Sequence, residues 1–354
     1  MAENRPRYGK NVRFAFMEIL IATGIYPPDV GGPATYSARL AKEFPERGHD
    51  VKVLSFGSFR FLPKFARHFF YFINVLWMGH DRDVIFAQDP VSVGFVSVIA
   101  SKILRKKFVI RIAGDYAWEQ GVMRFGVKEL LDGFLDKEYG FFVELLKKME
   151  RFSARHANTI IVPSNYLAGV LQKWGIDKSK IFLIYNTVSF LERIPKKEAR
   201  RKLGISQDKN ILFAPGREVP WKGFKMLKDL DIQNARLVVG TFPRDEYTLW
   251  LSACDIFLLN TGYEGFSHQI LEAMAFGKPI ITTDAGGNKE IVKNGENALA
   301  VEYNNKEAWR AAITNLLADP KLQEIISQGA KETAKKFLEK DMAGETIKVL
   351  GSVI

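Results

Sequence analysis

Two glutamates eight residues apart, Glu264 and Glu272, stand in the stretch EGFSHQILEAMAFGKPIITT. The run QILEAMAF predicts a helix that ends at Gly277 and Pro279, and the apolar IITT after it predicts a buried strand. Glu264 is therefore expected in a loop before the helix, and Glu272 inside the helix. Eight residues at about 1.5 Å rise separate the two carboxylates by roughly 10 Å along the axis.

The residues between the glutamates have the properties of a phosphate site. Gly265, Phe266, Ser267 and His268 form the expected helix start, where unpaired N–H groups and the helix dipole favour an anion. One element could then hold the sugar, the diphosphate and the ribose of a nucleotide-sugar together. A solvated loop glutamate and an ordinary helix glutamate are the alternative interpretation, which the spacing alone does not exclude.

Two further groups of residues follow strand-like runs. Gly31 and Gly32 come after EILIAT and precede a helical pattern, so the backbone there could approach a phosphate or a sugar. In ILFAPGREVPWKGF a strand is expected to end at Gly216, and Arg217 and Lys222 follow it. These two cations could neutralise a diphosphate leaving group without a metal. Isolated surface charges are the alternative.

Other nucleotide and metal motifs are not favoured. The glycines after the first strand do not match GxGxxG, and no GxxxxGK[ST] loop occurs, which argues against a dinucleotide oxidoreductase and a P-loop ATPase. The D-x-D pair Asp81 and Asp83 precedes a strand instead of ending one, so it favours a solvated turn over a Mn²⁺ or Mg²⁺ site.

Strand-like apolar runs alternate with helical patterns along the whole chain, which predicts an α/β protein with two parallel sheets. The runs are EILIAT, VKVLSF, DVIFAQ, KFVIRIAG and TIIVPS in the first half, then ILFAPG, ARLVVG, DIFLLN, PIITT and ALAVE. A linker-like segment places the boundary near Asn186, giving domains at 1–186 and 187–354. A helical run from Asp319 to the end is expected to close back across both domains. Ligands bind outside the carboxyl ends of parallel strands, so two such domains would form a cleft with a site on each wall.

Composition restricts the compartment and the partners. The 354 residues are 47% hydrophobic, and Cys254 is the single cysteine, so no disulfide can form within the chain. No run of about 18 apolar residues occurs, which favours a cytoplasmic protein, either soluble or at the inner face of the membrane. Residues 1–180 hold 27 Lys and Arg against 18 Asp and Glu, so +9 of the net +11 lies there.

This basic half indicates an anionic partner, with a solvated basic face as the alternative. Residues 57–80 contain no acid and many aromatic residues, a pattern typical of a helix at an anionic membrane surface. A buried helix with a basic edge is the alternative there. Nucleic acid is not the expected partner, because no binding motif is present. The cations of 57–80 and of the second amphipathic run, YGFFVELLKKMERFSARHA, are Arg60, Lys64, Arg67, Lys147, Lys148, Arg151 and Arg155.

Three segments together resemble glycosyltransferase family 4, and the resemblance extends over nearly the whole chain. They are EGFSHQILEAMAFGKPIITTDAGGNKEIV, GREVPWKG and GGPATYSARLAKEFPERGHDVKVLSF. The resemblance implies the GT-B fold, with two Rossmann-like domains facing across a cleft. It also implies a retaining, metal-independent hexosyltransferase that uses a nucleotide-sugar as substrate, with UDP or GDP as the expected nucleotide and no cofactor. The acceptor could be a sugar, a polyprenyl-linked sugar or a lipid. A GT-B epimerase or phosphorylase is the rival within the fold, and a basic protein that binds nucleic acid or membranes is the rival outside it.

The resemblance also implies roles for individual residues. Glu264 would contact the transferred sugar, Glu272 the ribose, and Arg217 with Lys222 the departing diphosphate. The donor-binding set is Gly31, Gly32, Gly216, Gly265, Phe266, Ser267, His268, Gln269 and Glu272.

This chain departs from the family pattern at two places. Where the family commonly has a histidine, VIRIAGDYAWEQ has Ala113, so Asp115 is expected to take over a catalytic contact with the sugar. Arg111 and Glu119 flank it, and either could contribute or form a structural ion pair. The second domain also looks one strand-helix unit shorter than usual, so recognition of the base is the least transferable feature.

Overall fold

The first half of the chain forms a six-stranded parallel sheet with the strand order β2-β1-β3-β4-β5-β6. The computed structural model describes residues 15–29, 31–187 and 192–354. The central strands are continuous runs of Val, Ile, Leu and Phe because helices cover both faces of the sheet. The strands are β1 Glu18–Thr23, β2 Asp50–Ser55, β3 Val84–Ala87, β4 Lys107–Arg111, β5 Thr159–Val162 and β6 Ile181–Leu183.

In the described part of this half, seven helices connect or flank these strands. Pro33 occupies the first turn of the first helix, where its missing N–H costs nothing. Asp115 and Ser164 cap later helices by accepting hydrogen bonds from backbone amides. The helices are α1 Gly32–Glu46, α2 Lys64–Gly79, α3 Gly94–Leu104, α4 Tyr116–Arg124, α5 Leu131–Leu135, α6 Phe141–His156 and α7 Asn165–Lys173.

The second sheet has five parallel strands in the order β11-β10-β9-β7-β8. Its strands are β7 Asn210–Pro215, β8 Ala235–Gly240, β9 Ile256–Leu259, β10 Ile280–Thr282 and β11 Leu299–Ala300. The helices are α8 Lys196–Lys202, α9 Phe224–Lys228, α10 Arg244–Ala253, α11 His268–Ala275, α12 Lys306–Ala318, α13 Pro320–Leu338 and α14 Met342–Gly351. Short 3₁₀ helices lie at Phe56–Phe59, Lys178–Lys180, Pro220–Lys222 and Gly286–Glu290.

Two parallel sheets with flanking helices confirm the predicted α/β class and the GT-B arrangement. All ten predicted strands are present, and the edge strand β6 was not predicted.

The end of the chain returns to the first sheet. Met342, Ile347 and Leu350 of α14 lie in one buried cluster with Ile19 of β1 and Leu40 of α1. The long α13 packs instead against α11 of the second half. The run after Asp319 therefore contacts both halves of the molecule, as expected of a closing segment. The division at residue 186 stays a prediction.

Candidate functional site

Loops that follow strands of the two sheets touch in the middle of the molecule. A Cβ atom on Gly265 would lie 2.1 Å from the carbonyl oxygen of Ala113, which follows β4. A Cβ atom on Gly287, after β10, would lie 2.0 Å from the carbonyl oxygen of Gly265 and 3.0 Å from Cβ of Ser164. Any larger residue would push the halves apart, so these glycines permit direct contact between the two walls of the cleft.

The Gly31–Gly32 loop faces the start of α11. A Cβ atom on Gly32 would lie 3.7 Å from Cδ2 of His268. Ser267 caps this helix, because its Oγ accepts a hydrogen bond from the amide of Ile270 at 3.3 Å. Two of the predicted donor-binding segments are therefore neighbours across the cleft.

Phe266 supports the loop from inside the core. Its carbonyl oxygen accepts a hydrogen bond from Nδ2 of Asn186 at 3.0 Å. Its ring lies 5.1 Å from that of Tyr185 and 5.5 Å from that of Phe337. The side chain is committed to packing, so only the backbone of Phe266 is left for the predicted donor contact.

Glu264 and Lys222 form an ion pair. Lys222 Nζ lies 2.6 Å from Glu264 Oε1, and the two side chains are 12% and 16% exposed. The same Nζ donates to Oε1 of Gln269 at 3.3 Å. A Cβ atom on Gly216 would lie 3.5 Å from that Gln269 oxygen. Four predicted site residues from two separate segments are thus brought together.

Glu272 also has a cationic partner, which the sequence interpretation missed. Arg244 at the start of α10 places Nη2 2.8 Å from Glu272 Oε1. Glu272 is 9% exposed, whereas Arg244 is 46% exposed. Burial raises the pKa of the nearby Tyr247, and the Glu272 carboxylate raises it further. The ion pair with Arg244 therefore holds the helix glutamate in place.

Positive charge converges on His268. Burial, together with the charges of Arg111, Arg244 and Arg39, lowers the pKa of His268 to about 3. The imidazole is therefore neutral at physiological pH. Three cations and the start of α11 create a local field suited to an anion. Arg39 and Arg244 carry no motif signal that would have identified them from the sequence.

Arg217 is exposed on the loop after β7. The charge of Arg217 lowers the pKa of Glu119, but burial raises it more strongly. The pKa of Glu119 is therefore raised to about 7. The two residues come from opposite walls of the cleft, since Glu119 lies in α4 after β4. The described structure thus places Arg217 at the cleft, although no close contact with Lys222 is formed.

Asp115 occupies a different environment from the one expected. Its side chain is 1% exposed, and Oδ1 accepts a hydrogen bond from the amide of Trp118 at 2.7 Å as the N-cap of α4. Burial raises the pKa of Asp115, as it does for the adjacent Glu150. The structure gives Asp115 a capping position within the first half of the molecule. Its predicted contact with a sugar stays untested.

Arg111 does not form the structural ion pair with Glu119 that the sequence left open. Its guanidinium lies 3.8 Å from the ring centroid of Tyr36 and donates to Oδ1 of Asn186 at 2.7 Å. Arg111 thereby connects β4 to α1 and to the segment that leaves the first sheet.

Glu290 links the two walls and was not identified from the sequence. Its carboxylate accepts hydrogen bonds from the amide of Tyr166 at 3.0 Å, Nδ2 of Asn165 at 2.9 Å and the hydroxyl of Tyr185 at 2.9 Å. It therefore sits at the start of α7, where an anion is stabilised by the helix dipole.

Within the described ranges, no group of three or more His, Cys, Asp or Glu side chains has a metal-binding arrangement. Asp81 is engaged by Lys52 at 2.8 Å and by Arg82 at 2.9 Å. Asp83 accepts a hydrogen bond from the amide of Glu18 at 2.8 Å.

Exposed aromatic side chains mark α2 and the start of α6. Phe69 and Trp77 are 60% and 71% exposed, and Phe141 and Phe142 are 75% and 62% exposed. The described helices include none that is long and apolar enough to cross a membrane.

The expected cations near these aromatics are only partly free. Arg60 pairs with Asp29 at 2.6 Å. Arg67 donates to two backbone carbonyl groups. Lys147 is buried, where it pairs with Glu144 and lies over an aromatic ring. The prediction that it belongs to the basic surface was therefore wrong. Lys148 and Arg155 are exposed, whereas the side chain of Lys64 lies outside the described set.

Two family models match the chain. Residues 30–190 match Glycosyltransferase Family 4, and residues 225–333 match Glycosyl transferases group 1. The N-acetyl-alpha-D-glucosaminyl L-malate synthase of Bacillus anthracis is 22% identical over 90% of this chain and 92% of that protein. A Campylobacter jejuni enzyme, N,N'-diacetylbacillosaminyl-diphospho-undecaprenol alpha-1,3-N-acetylgalactosaminyltransferase, is 25% identical over 81% of each chain.

The fold is shared with solved structures. The Anabaena protein HepE in complex with UDP-glucose superposes with a TM-score of 0.73 at 17% identity. That match covers 95% of this chain and 98% of the other.

Proposed function

The chain belongs to the family 4 glycosyltransferases of GT-B fold, and we propose that it transfers a hexose from a UDP- or GDP-sugar with retention of configuration and without a metal. The observation that carries this proposal is the grouping of Lys222, Glu264 and Gln269 beside Gly216 at the start of α11. In this proposal Asp81 and Asp83 do not hold a metal ion on the nucleotide-sugar, because their carboxylates already have partners.

The proposed donor lies along α11. Its diphosphate sits at the helix start, where the amides of Gly265 to His268, Lys222 and Arg217 meet its negative charge. Glu264 faces the transferred sugar from the loop, and Glu272 lies further along the helix for the ribose hydroxyls. The Gly31–Gly32 loop closes over the donor from the opposite wall.

The proposed reaction breaks the bond between the anomeric carbon and the diphosphate oxygen. The electron pair leaves with the diphosphate, whose growing charge Arg217 and Lys222 stabilise. The acceptor oxygen attacks on the same face, and its proton passes to a base on that face as the new bond forms. Retention then needs no covalent intermediate with the protein.

A thermal-shift panel tests the donor assignment directly. UDP, GDP and ADP are compared with their sugars, and a ligand at about 100 times its Kd should stabilise the protein by about 2.7 kcal/mol. NMR of the earliest product then gives the anomeric configuration. Stabilisation by none of these ligands would reject the nucleotide-sugar proposal, and an inverted product would reject retention.

For the acceptor we propose a lipid-linked or membrane-proximal substrate at the cytoplasmic face of a membrane. The exposed Phe69, Trp77, Phe141 and Phe142 support this, because aromatic side chains insert at membrane interfaces. The name of the Campylobacter jejuni relative contains diphospho-undecaprenol, whereas that of the Bacillus anthracis relative contains malate. A soluble acceptor is therefore the competing proposal.

Vesicle binding separates these two acceptor classes. The protein should cosediment with phosphatidylglycerol vesicles more than with phosphatidylcholine vesicles. Trp77→Ser should reduce that binding, whereas the control Trp309→Phe, a change within the core, should leave it unchanged. Equal recovery with both vesicle types, together with transfer to a soluble acceptor, would overturn the membrane proposal.

A further inference from the structure

Glu119 places a carboxylate on the wall opposite the proposed donor site. It lies in the first turn of α4, which begins after the carboxyl end of β4. A Cβ atom on Gly114 would lie 2.7 Å from Glu119 Oε1 and 3.4 Å from the hydroxyl of Tyr263. The carboxylate therefore lies over the Gly114 backbone, and Tyr263 reaches the same place from the second half of the chain.

Neither group has the partner that a purely structural role would require. Among the described residues, no hydrogen bond or ion pair engages the Glu119 carboxylate, and the residue is partly exposed to solvent. Tyr263 is 4% exposed, and its buried hydroxyl has no hydrogen-bond partner within the part of the chain that the structure describes. A buried polar group left unpaired costs roughly 1–3 kcal/mol. Both groups are therefore available to the hydroxyl of a ligand.

The surroundings bring Glu119 close to exchanging a proton at neutral pH. Burial raises the pKa of Glu119, the charges of Asp115, Glu264 and Asp89 add to that rise, and the pKa reaches about 7. Arg217 opposes them from the loop after β7. A carboxyl group with a pKa near the working pH is suited to general base catalysis.

Resting on the proposed function, we propose that Glu119 is a catalytic residue that binds the attacking hydroxyl and takes its proton. As the acceptor oxygen forms its bond to the anomeric carbon, the O–H proton passes to the Glu119 carboxylate. The bond to the diphosphate breaks, and its electron pair leaves with the diphosphate. Tyr263 holds the same hydroxyl or the neighbouring sugar hydroxyl in place.

Donor hydrolysis tests this with water as the acceptor, so the natural acceptor is not needed. The probe is whichever of UDP-glucose, UDP-N-acetylglucosamine and GDP-mannose the wild-type protein hydrolyses fastest. The wild-type rate should rise with pH and level off above about pH 7, since Glu119 must be ionised to accept the proton. Glu119→Gln should lower the rate about 10²–10⁴-fold and flatten the pH profile, with binding of the diphosphate product unchanged.

Two further variants keep the test decisive. Glu138→Gln changes an exposed glutamate of the same half and should behave as wild type. Glu119→Asp retains a carboxylate and should keep a pH-dependent rate, even if Glu119→Gln fails to fold. A wild-type rate and profile in Glu119→Gln would overturn the role of Glu119 alone. A wild-type protein that neither binds a nucleoside diphosphate nor hydrolyses any of the probes would overturn the proposed function itself.

Discussion

Breaking the Lys222–Glu264 pair should cost stability as well as activity. At 2.6 Å the attraction of two unit charges is about 6 kcal/mol at an effective dielectric of about 20. Removing both groups from water offsets most of that gain, because each desolvation costs several kcal/mol. We therefore expect a net coupling of about 1–3 kcal/mol between these two mostly buried side chains.

A double-mutant cycle in urea measures this coupling. Lys222→Met and Glu264→Gln should each lower the free energy of unfolding by about 2–3 kcal/mol, since each leaves a partner without its counter-charge. The double variant should lose less than the sum of the two single changes by the coupling energy. Glu264→Gln keeps the side-chain shape, so the loss reports charge and not packing.

An exposed ion pair of equal length provides the control. Lys228 and Glu218 are also 2.6 Å apart in the second half, but they are 50% and 73% exposed. Their cycle should give less than about 1 kcal/mol, because solvent screens exposed pairs. If the Lys222 and Glu264 changes add within about 0.5 kcal/mol, the two residues are not coupled in solution and this reasoning is refuted.

Three further predictions follow from the proposed donor site. Donor hydrolysis should be undiminished in EDTA, because protein cations neutralise the diphosphate; activity lost in EDTA and restored by Mn²⁺ would contradict this. Arg217→Ala should lower turnover more than diphosphate affinity, since its charge is needed most as the phosphate leaves; unchanged kinetics would remove it from the site. Glu272→Ala should weaken UDP or GDP binding in calorimetry by about 1–3 kcal/mol, whereas Glu264→Ala should spare the bare diphosphate and weaken only the intact donor; the reverse pattern would exchange their roles.

The central strands of both sheets could be predicted because they are buried apolar runs. β1 and β7 are continuous apolar runs bounded by turn residues, as expected of strands covered on both faces. β6 has three partly exposed residues at the edge of its sheet, and it was missed because it was not separated from the segment that follows it. Its sequence, IFL, leads directly into the segment interpreted as the linker.

The site could be predicted only where several residues act within one local segment. Ser267, Glu264 and Glu272 belong to one loop and helix, so their order and spacing carry information. The Arg244 partner of Glu272 comes from another helix, 28 residues earlier, and nothing in local sequence pairs them. Asp115 shows the opposite case, since an aspartate directly before a helix is an N-cap signal. This N-cap signal agrees with the position of Asp115 at the start of α4.

Both glutamates assigned to the donor already face a cation, which affects how binding energy would be used. A buried carboxylate held by Lys222 or Arg244 avoids the large cost of an unpaired buried charge. When a donor binds, its sugar and ribose hydroxyls would replace these cations at the two carboxylates. The released cations would then pair with the donor's diphosphate. The loss of these ion pairs offsets part of the gain in ground-state binding. The attraction between these cations and the diphosphate increases as negative charge grows on the leaving group. Their effect should therefore be larger on turnover than on donor affinity.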